Sequence, residues 1–536
     1  MGDVSRPGGT GPEQVNDTSR PGDAGSVRAG ESGRPHDAGP GQAGESGRPR
    51  ESGPEQVTGG AGCHGARAPL FGRVGQVLLL LFPQAPAARR SRSATIAIAL
   101  ASLAAVAGGA WLLLARQQGR PAQGSLVAED HKIFLPQALA HPWGSLFRAY
   151  DGYEELVPRL IGQVVAKLPF RDAAVGFAIS GAVIASCCAV FIFYACAGHV
   201  RTLALRVLLA ASVILLPTGL ASIANTGVNS PWYLLFAAFW ALVWRPRSLA
   251  GAVVAGVVCF AAASSNALAA LYLPLVAARV IALPRVREQA AAIGLIAGGA
   301  LQLPAVLTLS RHTQSTSLDQ ALAFYGHLVI LPAVAGHHLG DLLWARVGLT
   351  AATLIAAAVV ATVTVWACLR AGPRARVFVL AALLLGLILT LVPVFVHGNV
   401  ANIALSRTAL YARGSRYAQA PIMLIDSALI VAVDSYLRRG GIRFERVAHA
   451  TAAALLVAVL AILWVNDFRY ANTRATSPSW SQTVARVERS CQQAPRSRVY
   501  VLNETLPCAR LVGVTGPGPA KLPTADRRSG LPATWR

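Results

Sequence analysis

Glu129 and Asp130 are adjacent carboxylates just past an apolar run of membrane-spanning length, in the polar stretch 116–171. Carboxylates at a membrane surface are costly unless solvated, paired or put to use. A positioned carboxylate is a general base that can take the proton of an acceptor hydroxyl. Transfer from a phosphate ester also needs cations that steady the departing phosphate. Arginine suits this because its planar fork donates two hydrogen bonds at once. Arg159 lies in the same stretch, and Arg407, Arg413 and Arg416 cluster before the apolar run that starts near Ala418. The chemistry within reach of these residues is group transfer from a phosphate to a hydroxyl. A bland alternative is a solvated acidic pair, or one paired with His131 and Lys132.

Such residues must be held by membrane helices. Of the 536 residues, 54% are hydrophobic and only 14% charged, and the mean hydropathy is +0.47. Soluble domains carry about 25% charged residues. Eleven apolar stretches, at 94–115, 172–196, 207–224, 231–244, 249–264, 267–283, 289–309, 347–369, 377–396, 418–437 and 447–467, approach the ~20 residues that cross a bilayer as helix. Backbone cannot sit unsatisfied in lipid, and barrel-type alternation is absent. The expected fold class is therefore an all-α polytopic membrane protein with about 11 transmembrane helices, its bundle spanning 94–467. The spans 231–244 and 249–264 are short and are expected to tilt or re-enter.

Charge orients the bundle. Arg89, Arg90 and Arg92 precede the first span. Arg201 and Arg206, then Arg245 and Arg247, Arg279, Arg285 and Arg287, Arg370, Arg374 and Arg376, and Arg438, Arg439, Arg443 and Arg446 fill every second gap. The positive-inside rule makes this side cytoplasmic, in a plasma membrane, with the N terminus inside and the C terminus outside. The long gaps 116–171, 310–346 and 397–417 and the tail 468–536 then face outward, where the acidic pair lies. This distribution accounts for the net charge of +23 without nucleic acid.

Residues 1–88 are rich in Gly, Pro, Ser, Glu and Arg, and they repeat GPEQV (Gly11–Val15, Gly53–Val57) and AGESGRP (Ala29–Pro35, Ala43–Pro49). A disordered cytoplasmic extension is expected there. The apolar run Val77–Phe82 is too short to span. At the other end, Cys491 and Cys508 flank the strand-like segment Val499–Leu502 in the outer tail, where a disulfide between them can persist. Cys187, Cys188, Cys196, Cys259 and Cys368 fall in spans and read as packing residues.

Within the first outer loop, apolar residues recur at Leu156, Val157, Leu160, Ile161, Val164, Val165 and Leu168. This is the spacing of an amphipathic helix. Glu154, Glu155, Arg159, Gln163 and Lys167 fall mostly on its other side, which is expected to face external water while the helix lies on the membrane. Pro158 marks its first turn or a kink.

An acidic pair in the first external loop, followed by surface helices, resembles the GT-C superfamily of polyprenyl-phosphate-sugar-dependent glycosyltransferases. Further likenesses are to uncharacterised GT-C-like membrane proteins of actinobacteria. They are Ala128-Glu129-Asp130, the segment from Gly152-Tyr153 to Pro158-Arg159-Leu160, Asn229-Ser230-Pro231-Trp232-Tyr233, and Gly414-Ser415-Arg416-Tyr417. The resemblance covers about 94–510. It implies a GT-C-like fold and transfer of a sugar from a polyprenyl phosphate to a cell-envelope glycan or protein. Asp130, with Glu129, would be the catalytic base. Arg159 and Arg416 would contact the donor phosphate, and Tyr153, Trp232 and Tyr417 would line the site. Some members of the superfamily use a divalent metal. Here His337, His338 and Asp341 offer at most two ligands, so no cofactor is assigned with certainty and a divalent metal stays an open alternative.

Two rivals come from other classes. Asp426 lies within the span 418–437, and an intramembrane carboxylate fits a transporter or lipid flippase. Asp434 sits four residues before Arg438, the spacing of a helix-surface ion pair. The third reading is a non-catalytic membrane scaffold in envelope assembly.

Overall fold

The structure is a computed structural model that describes residues 70–85, 91–150, 152–216, 224–307, 316–396, 415–438, 443–469, 474, 477–494, 497–502 and 504–512. It is mostly helical. The helices that matter here are α1 (Leu70–Leu79), α2 (Arg92–Ala115), α3 (Leu135–Ala140), α4 (Leu156–Val165), α5 (Ala173–Ala195), α6 (Leu203–Leu215), α7 (Ser230–Val243) and α8 (Leu249–Ala263). They continue with α9 (Leu273–Ala282), α10 (Ala290–Leu307), α11 (Leu318–Tyr325), α12 (Leu331–Ala335), α13 (His338–Val347), α14 (Leu349–Arg370), α15 (Pro373–Val396), α16 (Ser415–Leu437), α17 (Arg443–Asn466) and α18 (Trp480–Gln493).

Each of the eleven apolar stretches contains a helix, and local chemistry sets several of the starts. Ser91 caps α2 by accepting from the Ala94 amide, Ser248 caps α8 by accepting from Gly251, and prolines open α7 and α9. Among the described residues, seven helices are long and apolar enough to cross a membrane: Arg92–Ala115, Phe170–Gly198, Val286–Leu307, Leu318–Ala335, Leu349–Arg370, Pro373–Val396 and Arg416–Leu437. Several of the others, α6 to α9 among them, are shorter. The 14 residues of α7 extend ~21 Å against ~30 Å of hydrocarbon. Every residue of α7 is buried, so protein rather than lipid surrounds its ends. Around it Trp240, Phe239 and Phe378 form the aromatic centre of the main core.

Hydrogen bonds sort the inter-helix segments into two ends. At one end Asp434 is buried, accepts from the amides of Arg201 (3.1 Å) and Thr202 (2.8 Å), and pairs with Arg438 at 2.9 Å. The expected Asp434–Arg438 pair thus forms, with the Asp434 carboxylate buried and the Arg438 side chain 35% exposed. Nearby segments join Arg245 to Glu288 at 2.7 Å and Arg279 to the carbonyls of Glu288 and Trp244. All of these arginines belong to the basic gaps. At the other end Arg116 donates to the carbonyls of Ile214, Leu215, Leu216 and Phe468. Asp467 accepts there from the amides of His337 (2.7 Å) and His338 (3.0 Å). The segments meeting here come from the long, less basic gaps.

Two differences from the sequence reading concern whole segments. Leu318–Ala335 lies in a gap expected to be a loop, yet it is an apolar helix interrupted by a wide turn at Gly326–Ile330. Thr316 before it donates to Val394 at the C-terminal end of α15, and His337 after it binds Asp467. Both of its flanks are therefore tied to the same end of the bundle, despite its spanning length. Within the extension 1–88, Leu70–Leu79 form α1, and Leu81 and Phe82 pack into the main core. Burial of Leu81 and Phe82 anchors the end of this apolar run, which its length alone does not. Residues 1–69 lie outside the described residues.

The tail is not a separate body. Strands β1 (Arg498–Val501) and β2 (Glu504–Pro507) form an antiparallel hairpin beside α18, and a disulfide joins Cys491 to Cys508. Trp480, Val484, Val487 and Leu506 share one hydrophobic core with Phe134, Leu139, Ile161, Val165 and Phe170 of the first loop. Trp480 stacks 4.8 Å from Phe170, and its indole donates to the carbonyls of Phe170 and Arg171. A segment this small gains a core by sharing one.

Candidate functional site

Asp130 opens a wide helical turn (Asp130–Phe134) that runs into α3. Its carboxylate points inward and is 1% exposed. One oxygen accepts from the Gly227 amide at 2.7 Å, the other from the Val228 amide at 2.8 Å. Those amides belong to the tight segment before α7. Helix α5 approaches it so closely that a side chain at Gly181 would sit 2.6 Å from the Thr226 carbonyl oxygen. Arg474 of the tail donates to the carbonyls of Ala122 and Asn225, and its charge acts on Asp130. Burial pushes the Asp130 carboxyl up to about 7, while the two amides and Arg474 pull the other way. Ala128 (φ 52°) and Asn225 (φ 60°) both hold left-handed backbone, two residues before Asp130 and Gly227 respectively. For alanine this costs roughly 1–2 kcal/mol, which the surrounding hydrogen bonds must offset.

Glu129 faces the other way. Its carboxylate lies 3.6 Å from the Arg416 guanidinium, with the two side chains 21% and 33% exposed. Arg416 is at the start of α16, stacks over the ring of Tyr417 at 5.2 Å, and also feels Tyr153. Tyr417 meets Trp232 of α7 edge to face at 5.2 Å. The segments that carry Glu129 and Arg416 therefore come together, with Tyr153, Trp232 and Tyr417 around the pair. Arg407 and Arg413 lie outside the described residues.

Helix α4 differs from expectation. Leu156 begins it and Pro158 sits in its first turn. Glu154, Glu155, Arg159 and Gln163 are buried, whereas Leu160, Val164 and Leu168 are 40–61% exposed. The helix turns its polar side into the protein and an apolar ridge outward, the reverse of a surface helix bathed by water. An outside that is partly lipid accounts for this, since a polar face then finds its partners only inside. Three long-range ties fix the N-terminal end: the Leu156 amide donates to the Ser264 carbonyl, the Val157 amide donates to the Ser265 hydroxyl, and Gln302 bonds both the amide and the carbonyl of Glu154.

As a result Glu155 sits next to the pair. Burial pushes its carboxyl up to about 8. Glu129 adds to the rise, and Arg159, Arg416 and a hydrogen bond from Tyr153 oppose it. Arg159 lies behind the pair. One of its amino groups donates at 2.8 Å to both Gln137 and the Ser145 carbonyl, and its guanidinium lies over Phe134 at 5.6 Å. It pins α4 to α3 and to the following loop. The site thus holds one carboxylate in an ion pair, one carboxyl that carries a proton at neutral pH, and a half-exposed arginine. Carboxyl groups held in unlike states are the requirement for acid–base work.

Sequence reasoning placed Glu155 on the water-facing side of its helix, where it is instead buried, and missed the amides of Gly227 and Val228, and Arg474. Backbone donors carry no residue signature, and Arg474 is one arginine among many. The other predicted sites are placed plainly. His337 is buried, and among the described residues no group of three or more metal-ligating side chains occurs. Asp426 is buried among Leu216, Pro332, Ile422 and Trp464 beside a space of about 10 Å³, the lower limit for one water.

No known protein family, curated protein or solved structure matches the chain.

Proposed function

We propose that this protein is a GT-C-like membrane glycosyltransferase that moves a sugar from a polyprenyl phosphate to a cell-envelope acceptor at the outer face. The basic gaps of the chain are on the cytoplasmic side in this reading, which puts the end holding Glu129 outside the cell. The observation that carries the proposal is the half-exposed Glu129–Arg416 pair, ringed by Tyr153, Trp232 and Tyr417, at one end of a membrane bundle. Aromatic faces suit sugar rings, and an arginine beside a carboxylate supplies both charges that the reaction needs.

Glu129 takes the proton of the acceptor hydroxyl as the acceptor oxygen bonds to the anomeric carbon. The bond from that carbon to the phosphate oxygen breaks, and its electron pair leaves with the polyprenyl phosphate. Arg416 meets the developing charge on that phosphate. Asp130, with both oxygens on backbone amides, is a positioning residue that fixes the turn on which Glu129 stands. Arg159 likewise positions α4. Protonated Glu155 keeps a second negative charge away from the phosphate.

A carrier built on Asp426 is the main rival, and the small apolar space beside that residue does not favour it. The test compares lipid-linked sugars and envelope glycans by mass spectrometry in a deletion strain. The strain is complemented with wild type, Glu129→Gln or Asp426→Asn at equal expression. Restoration by wild type and Asp426→Asn but not by Glu129→Gln is expected. Restoration by Glu129→Gln alone would move the reading to a carrier, and restoration by both to a scaffold.

A further inference from the structure

At the end of the bundle opposite Glu129, a cavity of about 440 Å³ opens between the start of α15 and the ends of α5 and α16. Arg201, Arg374 and Arg438 line it, together with His199, Ser435 and Gly372. Asp434 is the nearby carboxylate, and it is already engaged by the Arg201 and Thr202 amides and by Arg438. Three arginines thus belong to the cavity lining against one nearby carboxylate, an excess of two positive charges. Arg438 is held in place by its bonds to Asp434 and to the His199 carbonyl. Arg201 and Arg374 are exposed, and no hydrogen bond ties either side chain to another described residue. His199 is 5% exposed, its ring packed 4.4 Å from Phe378, and its Nε2 has no hydrogen-bond partner among the described residues.

We propose that this cavity binds the phosphate of an anionic phospholipid head group. Guanidinium forks match phosphate oxygens, and a basic pocket between helix ends at a membrane surface is where such head groups lie. A lipid is favoured over free phosphate by the surroundings. Leu203, Val207, Leu369 and Leu380, on the helices that lead away from the cavity, are all more than half exposed. They offer acyl chains an exposed apolar surface on helices that start or end within a few residues of the lining arginines. The proposal does not depend on the activity of the opposite end.

The test uses the full-length protein in detergent and native mass spectrometry with phosphatidylglycerol or phosphatidylcholine of the same chains. Retention of one phosphatidylglycerol and no phosphatidylcholine is expected. The double variant Arg201→Gln/Arg374→Gln should weaken that retention by roughly thirtyfold, two basic residues at about one kcal/mol each, while Arg171→Gln at the other end should not. Equal retention of both lipids, or unchanged retention by the double variant, would overturn the proposal. Displacement by millimolar inorganic phosphate alone would show a free-phosphate site and overturn the lipid assignment. Should the double variant fail to fold, photo-crosslinkable phosphatidylglycerol on the wild type decides. Cross-links within 198–202 or 372–376 support the site, and cross-links only elsewhere refute it.

Discussion

The Glu129 carboxylate stands 3.6 Å from the guanidinium of Arg416, although the first belongs to the loop after the first span and the second to the start of α16. Its neighbour Asp130 points the opposite way, into two backbone amides. Adjacent carboxylates thus take unlike roles, one facing an open arginine and one closed inside the protein. Replacing Glu129 by Gln is expected to lower sugar transfer by about 10²- to 10⁴-fold, the usual contribution of a general base, with little change in melting temperature. Arg416→Lys keeps the charge but loses the fork and should fall between wild type and Arg416→Ala. A Glu129→Gln protein with full transfer activity in membranes would sink the assignment.

The pH dependence of stability should report Asp130. Burial raises its carboxyl from 3.8 to about 7, so the folded chain holds that proton more tightly than the unfolded chain. The resulting stabilisation is complete below about pH 4 and is lost as pH rises through about 7. Glu155, pushed from 4.5 to about 8, acts in the same direction. Melting temperature should therefore decline between pH 5 and 8 in wild type, less steeply in Asp130→Asn, and least in Asp130→Asn/Glu155→Gln. Parallel declines in all three proteins would show that these carboxyls do not titrate as described.

Much of this arrangement is legible in the sequence, and the rest is hidden for physical reasons. The eleven apolar stretches mark helices because lipid leaves the backbone few alternatives, and Glu129, Arg416, Tyr153, Trp232 and Tyr417 do come together. The face of α4 was not legible. Its spacing is that of any amphipathic helix, and which side is "out" depends on whether the outside is water or lipid. Leu318–Ala335 hides among polar flanks, and Arg474 reaches Asp130 only through the shared core of the tail and the first loop.

Gly227 and Gly181 should be intolerant for different reasons. A methyl group on Gly227 would sit 2.9 Å from the Phe177 ring and 3.0 Å from an Asp130 carboxylate oxygen. Gly227→Ala should cost about 1–3 kcal/mol and displace Asp130, so transfer should fall along with stability. On Gly181 the same group would meet the Thr226 backbone at 2.6 Å, where no side chain can move aside. Gly181→Ala should be the more damaging of the two. Thermal unfolding in detergent orders them, and Gly181→Ala with wild-type stability would contradict the close approach.

The disulfide should matter to the site through the tail. Cys491 and Cys508 are 17 residues apart, and closing a loop of that size is worth roughly 3 kcal/mol. The tail that holds the bridge packs on the first loop through Trp480, Val487 and Leu506, and Arg474 of the same tail bonds Asn225, beside the Asp130 donors. The double variant Cys491→Ser/Cys508→Ser should therefore loosen the tail and, with it, residues 122–140, while leaving the helices around α7 untouched. Hydrogen exchange resolves this. Faster exchange in 122–140 and 224–229 as well as in 480–512, with transfer reduced, is the expected pattern. Faster exchange confined to 480–512, with transfer intact, would mean that the tail is a passive cap and that Asp130 is held by the Gly227 and Val228 amides without its help.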